Sequence, residues 1–416
     1  MQFWDILMAI LTVLTTLYGA YFVVIAILGT IRKQKPLPHV KPQKRIAAIV
    51  AARNESGVIG HLVKSILDQN YPDELMDVFV VPNNCTDDTE AVARAAGARI
   101  LNCTVPVHAK GEAVSWAIDE LLKYPEGYDA FVIVDADNLL DKNYFSICND
   151  ALCAGAQVGQ GFRDSKNYSD SWIAGCSSEF YWCMSRFFNR ARSALGMSCA
   201  LNGTGILLSA EYMRKVGWHT SSLTEDLEFT AQCALNGVRI WWLGDAIAYD
   251  EQPNGFCDSF KQRRRWAAGT VQCFHGYFKR LIKCGMREKR LECFDIATLF
   301  GGILLQLISL IPGVYVFIKT FATMDGAQIM PLIMLTAAGA VLSFIALSAG
   351  SFILLRLEGK SVRGQWGTVF GLWLFLLTWV PANLISLFTR PPKWVAIKHD
   401  RAMSMDELDA NKSGGK

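Results

Sequence analysis

The sequence predicts an α/β domain inserted between membrane-spanning helices. Only 19% of the 416 residues are charged, and the mean hydropathy of +0.22 is high for a soluble protein. In the middle of the chain, short apolar runs alternate with helical patterns, which is typical of a doubly wound sheet. The net charge of +3 is too small to indicate nucleic acid as a partner. The basic residues cluster beside the apolar segments, so the expected partner is the lipid bilayer.

The first apolar segment, Ile6–Gly29, predicts a transmembrane helix. It is uncharged and long enough to cross the hydrocarbon core, which takes about 20 residues. It is too long for a typical signal peptide and lacks a small-residue cleavage site. Lysine and arginine residues follow it directly, so the positive-inside rule predicts that the middle of the chain is cytoplasmic. We therefore expect a multi-pass protein of the plasma membrane.

Three further apolar segments lie near the other end of the chain: Ile296–Ile318, Ile329–Leu355 and Trp366–Phe388. Three crossings there would leave the tail outside the cell, but the tail begins with basic residues, which favour the cytoplasm. These basic residues are Arg390, Lys393, Lys398, His399 and Arg401. Because Pro381 interrupts the last segment, we predict that this segment is broken or re-entrant.

These patterns divide the chain into five parts. They are an N-terminal transmembrane helix (1–31), a cytosolic domain (46–250), amphipathic interface helices (251–293), a C-terminal transmembrane region of about three apolar segments (294–390) and a cytosolic tail (391–416).

Within the cytosolic domain, polar residues follow the predicted strands Ile46–Ala51, Met76–Val81 and Phe131–Val134. The carboxyl ends of parallel strands share one edge of a sheet, where ligands collect. The residues concerned are Ala52, Arg53 and Glu55 after the first strand, Asn83 and Asn84 after the second, and Asp135 and Asp137 after the third. Lys110 opens a helix that leads into the third strand. No Gly-x-Gly-x-x-Gly or Walker lysine motif occurs, which disfavours a dinucleotide or ATP.

The pair Asp135 and Asp137 suits a divalent cation that nucleotide phosphates also hold. Mg²⁺ and Mn²⁺ accept a few protein carboxylates together with substrate oxygens. The alternative is a polar turn that merely ends the strand.

Three later motifs each have a functional and a structural interpretation. Gly203 and Thr204 stand before an apolar run, where glycine either lets the backbone approach a ligand or shapes a turn. Thr224-Glu225-Asp226 opens the helical pattern Leu227–Leu235, where a capping threonine and acidic residues are also expected for structural reasons. Gln262–Trp266 precedes the amphipathic stretch Ala267–Lys283, and its arginines either bind lipid headgroups or hold a pyrophosphate while Trp266 faces a sugar ring.

Together, Asp135-x-Asp137, Thr224-Glu225-Asp226 and Gln262-x-x-Arg265-Trp266 resemble the motifs of processive, membrane-integrated family 2 glycosyltransferases. Cellulose synthase, hyaluronan synthase and poly-N-acetylglucosamine synthase carry these motifs in the same order and at comparable spacing. The resemblance covers the cytosolic domain and the helices that follow. It implies a nucleotide-sugar-binding domain of the GT-A type. It also implies an inverting enzyme that polymerises UDP-glucose or UDP-N-acetylglucosamine into a β-linked polysaccharide and exports it.

The resemblance also implies roles for individual residues. Asp137 would bind Mg²⁺ or Mn²⁺, Asp135 would contact the nucleotide-sugar, and Asp226 would be the general base beside Glu225 and Thr224. The other implied donor contacts are Ala52, Arg53, Glu55, Asn83, Asn84, Lys110 and Arg265, and the implied acceptor contacts are Gln262, Trp266, Gly203 and Thr204. The family commonly has an acidic residue where this chain has Asn83 and Asn84. An asparagine carbonyl oxygen still accepts from a uracil N–H.

Two other functions stay open at this point. The first is a non-processive membrane enzyme that adds single sugars to a lipid acceptor; Gln262-x-x-Arg265-Trp266 argues against it, since single-transfer relatives commonly lack this motif. The second is a catalytically silent nucleotide-binding subunit with a regulatory or transport role, which the intact acidic residues disfavour. The sugar, the linkage and the oligomeric state are not specified by the sequence.

Overall fold

A computed structural model of the chain describes residues 3–107, 109–125, 127–323, 326–392 and 401–414. The described strands are β1 (Ile46–Ala52), β2 (Met76–Pro82), β3 (Arg99–Ile100), β4 (Ala130–Asp135), β5 (Leu139–Leu140), β6 (Val158–Ser165), β7 (Ile206–Ser209) and β8 (Ile240–Asp250). They form one sheet in the order β3-β2-β1-β4-β7-β6-β8-β5.

Helices cover both faces of this sheet and continue into the apolar ends of the chain. In the α/β domain they are α2 (Ile59–Leu67), α3 (Thr89–Ala95), α4 (Lys110–Leu121), α5 (Tyr144–Cys153), α6 (Trp172–Cys183), α7 (Ala191–Ala194), α8 (Ala210–Val216) and α9 (Glu225–Leu235). The others are α1 (Phe3–Ile31), α10 (Phe256–Glu288), α11 (Leu291–Thr323), α12 (Gly326–Leu357), α13 (Trp366–Leu377), α14 (Trp379–Phe388) and α15 (Met405–Gly414).

Strand β1 explains why the central strands are apolar throughout. Side chains alternate between the two faces of a strand. In β1, Ile46, Ala48 and Val50 join the core beneath α2, α3 and α5. Ala47 and Ile49 join the core beneath α4, α8 and α9 on the other face. Because helices cover both faces, neither face carries polar residues. The predicted α/β fold between apolar helices is confirmed.

The register of the parallel strands brings the polar strand ends together. Ala52 of β1 lies opposite Pro82 of β2, and Ala51 of β1 lies opposite Asp135 of β4. The sheet becomes mixed beyond β4, because β7 runs antiparallel to both β4 and β6. The residues that follow β1, β2 and β4 therefore share one edge of the sheet.

Four helical segments in the described part of the chain are long and apolar enough to cross a membrane: Phe3–Ile31, Leu291–Thr323, Ile329–Leu357 and Trp366–Phe388. They match the four predicted apolar segments.

The first and second of these segments are joined to the α/β domain by a buried ion pair. Arg192 of α7 donates two hydrogen bonds of 2.9 Å to Asp295 of α11. The hydroxyl of Tyr21 in α1 donates to the same carboxylate at 2.6 Å. Such charges are costly to bury unless both partners are present, so this contact fixes α1, α7 and α11 together.

The last apolar segment is interrupted between α13 and α14. Pro381 has no N–H to bond the carbonyl of Leu377, and its ring crowds that carbonyl, so the helix breaks just before it. On either side of the break, α13 packs along α6 and α14 packs along α10. The interruption agrees with the position of Pro381, and the re-entrant course stays a prediction.

Helix α10 begins eleven residues earlier than the predicted amphipathic stretch, at Phe256 instead of Ala267. Gln262–Trp266 consequently lies inside the helix rather than before it. Lysine, glutamine and arginine are good helix formers, so the basic run extends the helix towards its N-terminus.

The described part of the tail packs on the α/β domain. Met403 and Leu408 are buried against Leu139 and Tyr249. The basic residues Lys393, Lys398 and His399, which favoured a cytoplasmic tail, lie outside the described residues.

Gly29 provides a test of the packing of α1 on α7. A Cβ atom at Gly29 would lie 2.3 Å from the Cα atom of Ala191, so we expect Gly29→Val to force the two helices apart. Overpacking of this kind costs roughly 1–3 kcal/mol, and a lower thermal unfolding midpoint in detergent would reveal it. Gly19→Val is the matched control on the same helix, since nothing lies within 4 Å of a Cβ there. Equal midpoints for the two variants would contradict the close approach.

Candidate active site

A cavity of about 810 Å³ lies at the carboxyl edge of the sheet and extends between α1, α11 and α14. Fourteen of the sixteen predicted site residues line it. They are Ala52, Arg53, Glu55, Asn83, Lys110, Asp135, Asp137, Gly203, Thr224, Glu225, Asp226, Gln262, Arg265 and Trp266. Three motifs that are far apart in the sequence therefore meet around one space.

Asn84 and Thr204 are the two predicted site residues outside this lining. Asn84 has a left-handed backbone with φ of 51°, and its Nδ2 donates to the Asn83 Oδ1 at 2.6 Å. Thr204 is fully buried. Its Oγ1 accepts from the Asp135 N–H at 3.0 Å and donates to the Asn138 Oδ1 at 2.5 Å. Both residues hold the loops that carry lining residues.

Lys110 at the start of α4 links two of the acidic motifs. Its Nζ lies 2.5 Å from the Asp135 Oδ1 and 3.5 Å from the Glu225 Oε1. It also donates to the Gly203 carbonyl at 2.6 Å. Burial alone would lower the pKa of Lys110, but Asp135 and Glu225 raise it above its usual value. The lysine therefore stays charged and offsets the carboxylates around it.

The pKa of the Asp226 carboxyl is raised by its surroundings. Burial raises the pKa of Asp226 to about 7, and the charge of Glu225 adds to the shift. The Leu227 N–H donates to its Oδ1 at 2.8 Å and, together with Lys110 and Arg163, lowers the pKa. A base is most effective when its pKa lies near the working pH.

Thr224 occupies the N-cap position of α9, but its side chain makes no capping hydrogen bond. Its Oγ1 instead lies 3.7 Å from the Cys273 Sγ of α10. A Cβ at Gly269 of α10 would fall 2.5 Å from this oxygen. The threonine thus packs the start of α9 tightly against α10.

The loop after β4 is held by a buried network that starts at Asn138. The Asn138 Nδ2 donates to the Asp250 Oδ1 at 2.8 Å. Arg163 pairs with the other oxygen of Asp250, with a bond of 2.9 Å from its Nε. The Lys166 Nζ donates to the Asp137 carbonyl at 2.8 Å. These contacts fix the backbone of Asp137 at the edge of the cavity.

A divalent cation fits the donor groups at this edge. Asp137 is 5% exposed and lines the cavity beside Asp135. Among the described residues, no group of three or more histidine, cysteine, aspartate or glutamate side chains forms a metal cluster. A cation here would take one or two carboxylates and complete its shell with ligand oxygens, which is the usual preference of Mg²⁺.

Aromatic side chains form the next part of the cavity wall. Trp266 stacks with Phe180 and Trp379 at centroid distances of 6.0 and 6.2 Å, and Tyr181 meets it edge-on at 5.8 Å. Beyond them, towards the apolar helices, the wall is formed by Tyr18, Leu299, Gly302, Ile303, Gln306 and Asn383. The cavity therefore passes from acidic side chains through aromatic rings to the membrane helices.

Several lining residues were absent from the predicted set. Arg163 and Asp250 come from β6 and β8, and Phe180 and Tyr181 come from α6. The sequence does contain a pattern that indicates Asp250, because this residue is another carboxylate at the end of an apolar strand. The aromatic pair carried none, since aromatic residues on a helix usually belong to the core.

Comparisons with known proteins point to one family. The family model described as glycosyltransferase like family 2 matches residues 42–269. The beta-monoglucosyldiacylglycerol synthase of Synechocystis is 25% identical over 266 residues, which cover 61% of this chain and 54% of that protein. The probable glycosyltransferase YdaM of Bacillus subtilis is 24% identical over 290 residues, 67% of each chain. This chain spans about half the length of the diacylglycerol synthases that it matches.

One solved structure resembles nearly the whole chain. It is the mannosyltransferase PcManGT of Pyrobaculum calidifontis in complex with GDP-Man and Mn²⁺. The TM-score is 0.58 at 16% identity, and the match covers 90% of this chain and 99% of that chain. At this identity the likeness concerns the fold alone.

The pair of Arg163 and Asp250 provides a test of the site's framework. Arg163→Met leaves the Asp250 carboxylate, which is 3% exposed, without its cation, and we expect the free energy of unfolding to fall by roughly 3–5 kcal/mol. The double variant Arg163→Met with Asp250→Asn should recover part of the lost free energy of unfolding. Denaturant unfolding of the single and double variants would measure this difference. Arg94→Met is the control, because the exposed pair of Arg94 and Glu90 contributes at most about 1 kcal/mol. Similar losses for Arg163→Met and Arg94→Met would mean that the buried pair does not hold the framework.

Proposed function

This chain belongs to glycosyltransferase family 2, and we propose that it transfers a sugar from a UDP-sugar, with inversion, to the end of a growing glycan. The observation that carries this proposal is the single cavity that joins Asp226 to the rings of Trp266 and Trp379 and then passes between α1, α11 and α14. A donor bound at the sheet edge and an acceptor held by the rings would meet at Asp226.

The wall of the cavity supports a glycan as the acceptor. Sugar rings have apolar faces that pack on aromatic side chains, and Trp266 and Trp379 offer such faces. Farther along, the Asn383 Nδ2 donates to the Gln306 Oε1 at 2.7 Å, which places two amide groups at the membrane end of the cavity. Polar side chains within apolar helices are costly and usually functional. Amides of this kind bind sugar hydroxyl groups.

The donor would bind at the carboxyl edge of the sheet. Ala52, Arg53, Asn83 and Asp135 line the cavity at this edge; the first three would contact the uridine base, and Asp135 would contact the sugar diphosphate. Asp137, together with the diphosphate oxygens, would hold Mg²⁺ or Mn²⁺, which neutralises charge on the leaving nucleotide. Arg265 adds a second cation beside the leaving group, where negative charge develops in the transition state.

Asp226 would activate the acceptor. An acceptor hydroxyl attacks the anomeric carbon from the side opposite the diphosphate, and its proton passes to the carboxylate of Asp226. The bond between the anomeric carbon and the diphosphate oxygen breaks, and UDP leaves with the electron pair. Attack from the opposite side converts an α-linked donor into a β-linked product. A positioned base of this kind typically contributes about 10²–10⁴-fold in rate.

The packing of the tail supports a re-entrant last segment. The Lys166 Nζ of the α/β domain donates to the Arg401 carbonyl at 3.1 Å, which supports a tail on the same side of the bilayer as the domain. The chain between α10 and the tail must then cross an even number of times. With α11 and α12 as the two crossings, α13 and α14 enter and leave on the side of the domain. By the positive-inside rule, the basic residues after α1 favour the cytoplasm as this side.

A second candidate function is glycosylation of a lipid. It is favoured by the name of the Synechocystis relative, a beta-monoglucosyldiacylglycerol synthase, and by the position of the cavity between apolar helices. A lipid hydroxyl could reach Asp226 from the bilayer along the same path. The two candidates share the donor site and the base and differ in the acceptor.

The raised pKa of Asp226 predicts the pH dependence of the reaction. The base acts only when it is ionised, so kcat/KM should rise with pH and level off above a pKa of about 7. Well below that pKa, the ionised fraction of Asp226 falls tenfold for each unit of pH. Lys110→Met should move the rise to higher pH, because the charge of Lys110 lowers the pKa of Asp226. A profile that is flat between about pH 5 and 8 would argue against Asp226 as the base.

The proposal is tested by UDP release from membranes that carry the chain. UDP-glucose and UDP-N-acetylglucosamine are each supplied with Mg²⁺, with Mn²⁺ or with EDTA, and products are sized by mass spectrometry. We expect one donor to release UDP, EDTA to stop the release and Asp226→Asn to lower it by at least about 10²-fold. Long β-linked chains support the glycan acceptor, whereas one sugar on a lipid supports the second candidate. Binding of a donor without any release would favour the catalytically silent interpretation.

A further inference from the structure

Arg263 differs from Arg265 in the Gln262–Trp266 stretch because it does not line the cavity. It lies on the face of α10 that meets the membrane helices, and it is only 1% exposed. Arg265, two residues later, lines the cavity. A buried guanidinium cannot reach lipid headgroups, so the headgroup interpretation of this basic run does not apply to Arg263.

The guanidinium of Arg263 binds the break between α13 and α14. Its Nη1 donates to the Phe375 carbonyl at 3.1 Å and to the Thr378 Oγ1 at 2.5 Å. Its Cζ lies 4.2 Å from the centroid of the Phe375 ring. Its Nε donates to the Ser259 carbonyl of its own helix at 3.3 Å. The guanidinium is therefore hydrogen-bonded both to its own helix and to the end of α13.

These bonds satisfy groups that the break leaves without helical partners. The last carbonyls of a helix have no intrahelical donor, and the C-terminal end of a helix carries partial negative charge. At the end of α13, the Thr378 hydroxyl donates to the Phe375 carbonyl at 2.6 Å, and Arg263 donates to both oxygens. The positive charge of Arg263 therefore lies at the C-terminal end of α13, where the helix carries partial negative charge.

The next residue after the break is Trp379. Its ring stacks with Phe180 at 5.4 Å and with Trp266 at 6.2 Å. Arg263 and Trp266 are three residues apart on α10, so they lie on the same face of that helix. Arg263 bonds the Phe375 carbonyl at the break, and Trp266 stacks with the Trp379 ring that follows the break.

We propose that Arg263 is a positioning residue that holds Trp379 in the acceptor part of the cavity. This inference rests on the proposed function, because it assigns Trp379 to the acceptor. Arg263 touches neither substrate nor the reacting atoms. It acts through its hydrogen bonds to the Phe375 carbonyl and the Thr378 hydroxyl, which hold the break and thereby set the direction in which the Trp379 ring points. Loss of Arg263 should therefore weaken transfer to the acceptor and leave cleavage of the donor intact.

The test compares transfer with hydrolysis of the same UDP-sugar. Arg263→Lys keeps the charge but offers only a point donor in place of the planar fork, and Arg263→Met removes the charge. For both, UDP release without acceptor should stay within about twofold of the unmodified chain. Transfer to an oligosaccharide acceptor should fall by about tenfold or more, because misplacement by about 1 Å can cost 10²-fold. Trp379→Ala should have the same effect, and combining it with Arg263→Lys should add little.

Lys261→Met is the matched control. It removes a positive charge from the same helix, but Lys261 is exposed and forms a surface ion pair with Asp258, so both activities should be unchanged. A parallel loss of hydrolysis and transfer in Arg263→Lys would mean that the residue only stabilises the fold. Equal transfer in Arg263→Met and the unmodified chain would also overturn the proposal.

Hydrogen exchange separates this inference from the proposed function. Exchange of the backbone amides between residues 376 and 382 should accelerate in Arg263→Lys and stay unchanged in Lys261→Met, whatever the acceptor is. If the unmodified chain adds one sugar to a lipid, the glycan proposal fails, and the ratio of lipid transfer to hydrolysis tests Arg263 in the same way. If no donor is cleaved at all, the proposed function fails, and unchanged exchange at the break would overturn the role of Arg263 as well.

Discussion

The arrangement of this site depends on neutralising acidic groups that the fold brings together. Asp135 comes from the end of β4 and Glu225 from the start of α9, and both face Lys110. Two carboxylates that share one partner in a buried site repel each other. The lysine offsets this repulsion and remains charged because the same carboxylates raise its pKa. Burial and the charge of Glu225 raise the pKa of Asp226 by more than Lys110 and Arg163 lower it. One cation thus allows the motifs to meet and leaves one carboxyl suited to accept a proton.

Helix α10 connects this site to the apolar helices. One of its faces packs on α9, beside the acidic motif, and another packs on α11 and α14. Arg265 and Trp266 line the cavity from this helix, while Arg263 holds the break before α14. The buried pair of Arg192 and Asp295 ties α11 back to the α/β domain. A displacement of the apolar helices would therefore move the aromatic part of the cavity, and the part at the sheet edge would be less affected because it rests on the central sheet.

The same architecture would suit either of the two proposed acceptors. A donor site at the sheet edge, a base at the start of α9 and a path between membrane helices are needed whether the acceptor is a glycan or a lipid. What separates the two is the chemistry of the path. Stacked aromatic rings and the amides of Gln306 and Asn383 suit sugars, whereas an acyl chain requires only apolar surface. Under the proposed function, a few side chains beyond Trp266 would decide the acceptor.

The sequence alone determined the fold class and most of the lining of the site, because both depend on local patterns. Apolar runs that end in polar residues specify buried parallel strands, and parallel strands bring their carboxyl ends to one edge, so Asp135, Asn83 and Ala52 were predictable. Only the tertiary structure decided which side chains from other elements complete the site. Arg163, Phe180 and the contact of Arg263 with Thr378 depend on packing between residues distant in the chain. Local sequence pattern carries no information about such partners. A buried arginine and a surface arginine have the same sequence signal, and only the packing of a neighbouring helix distinguishes them.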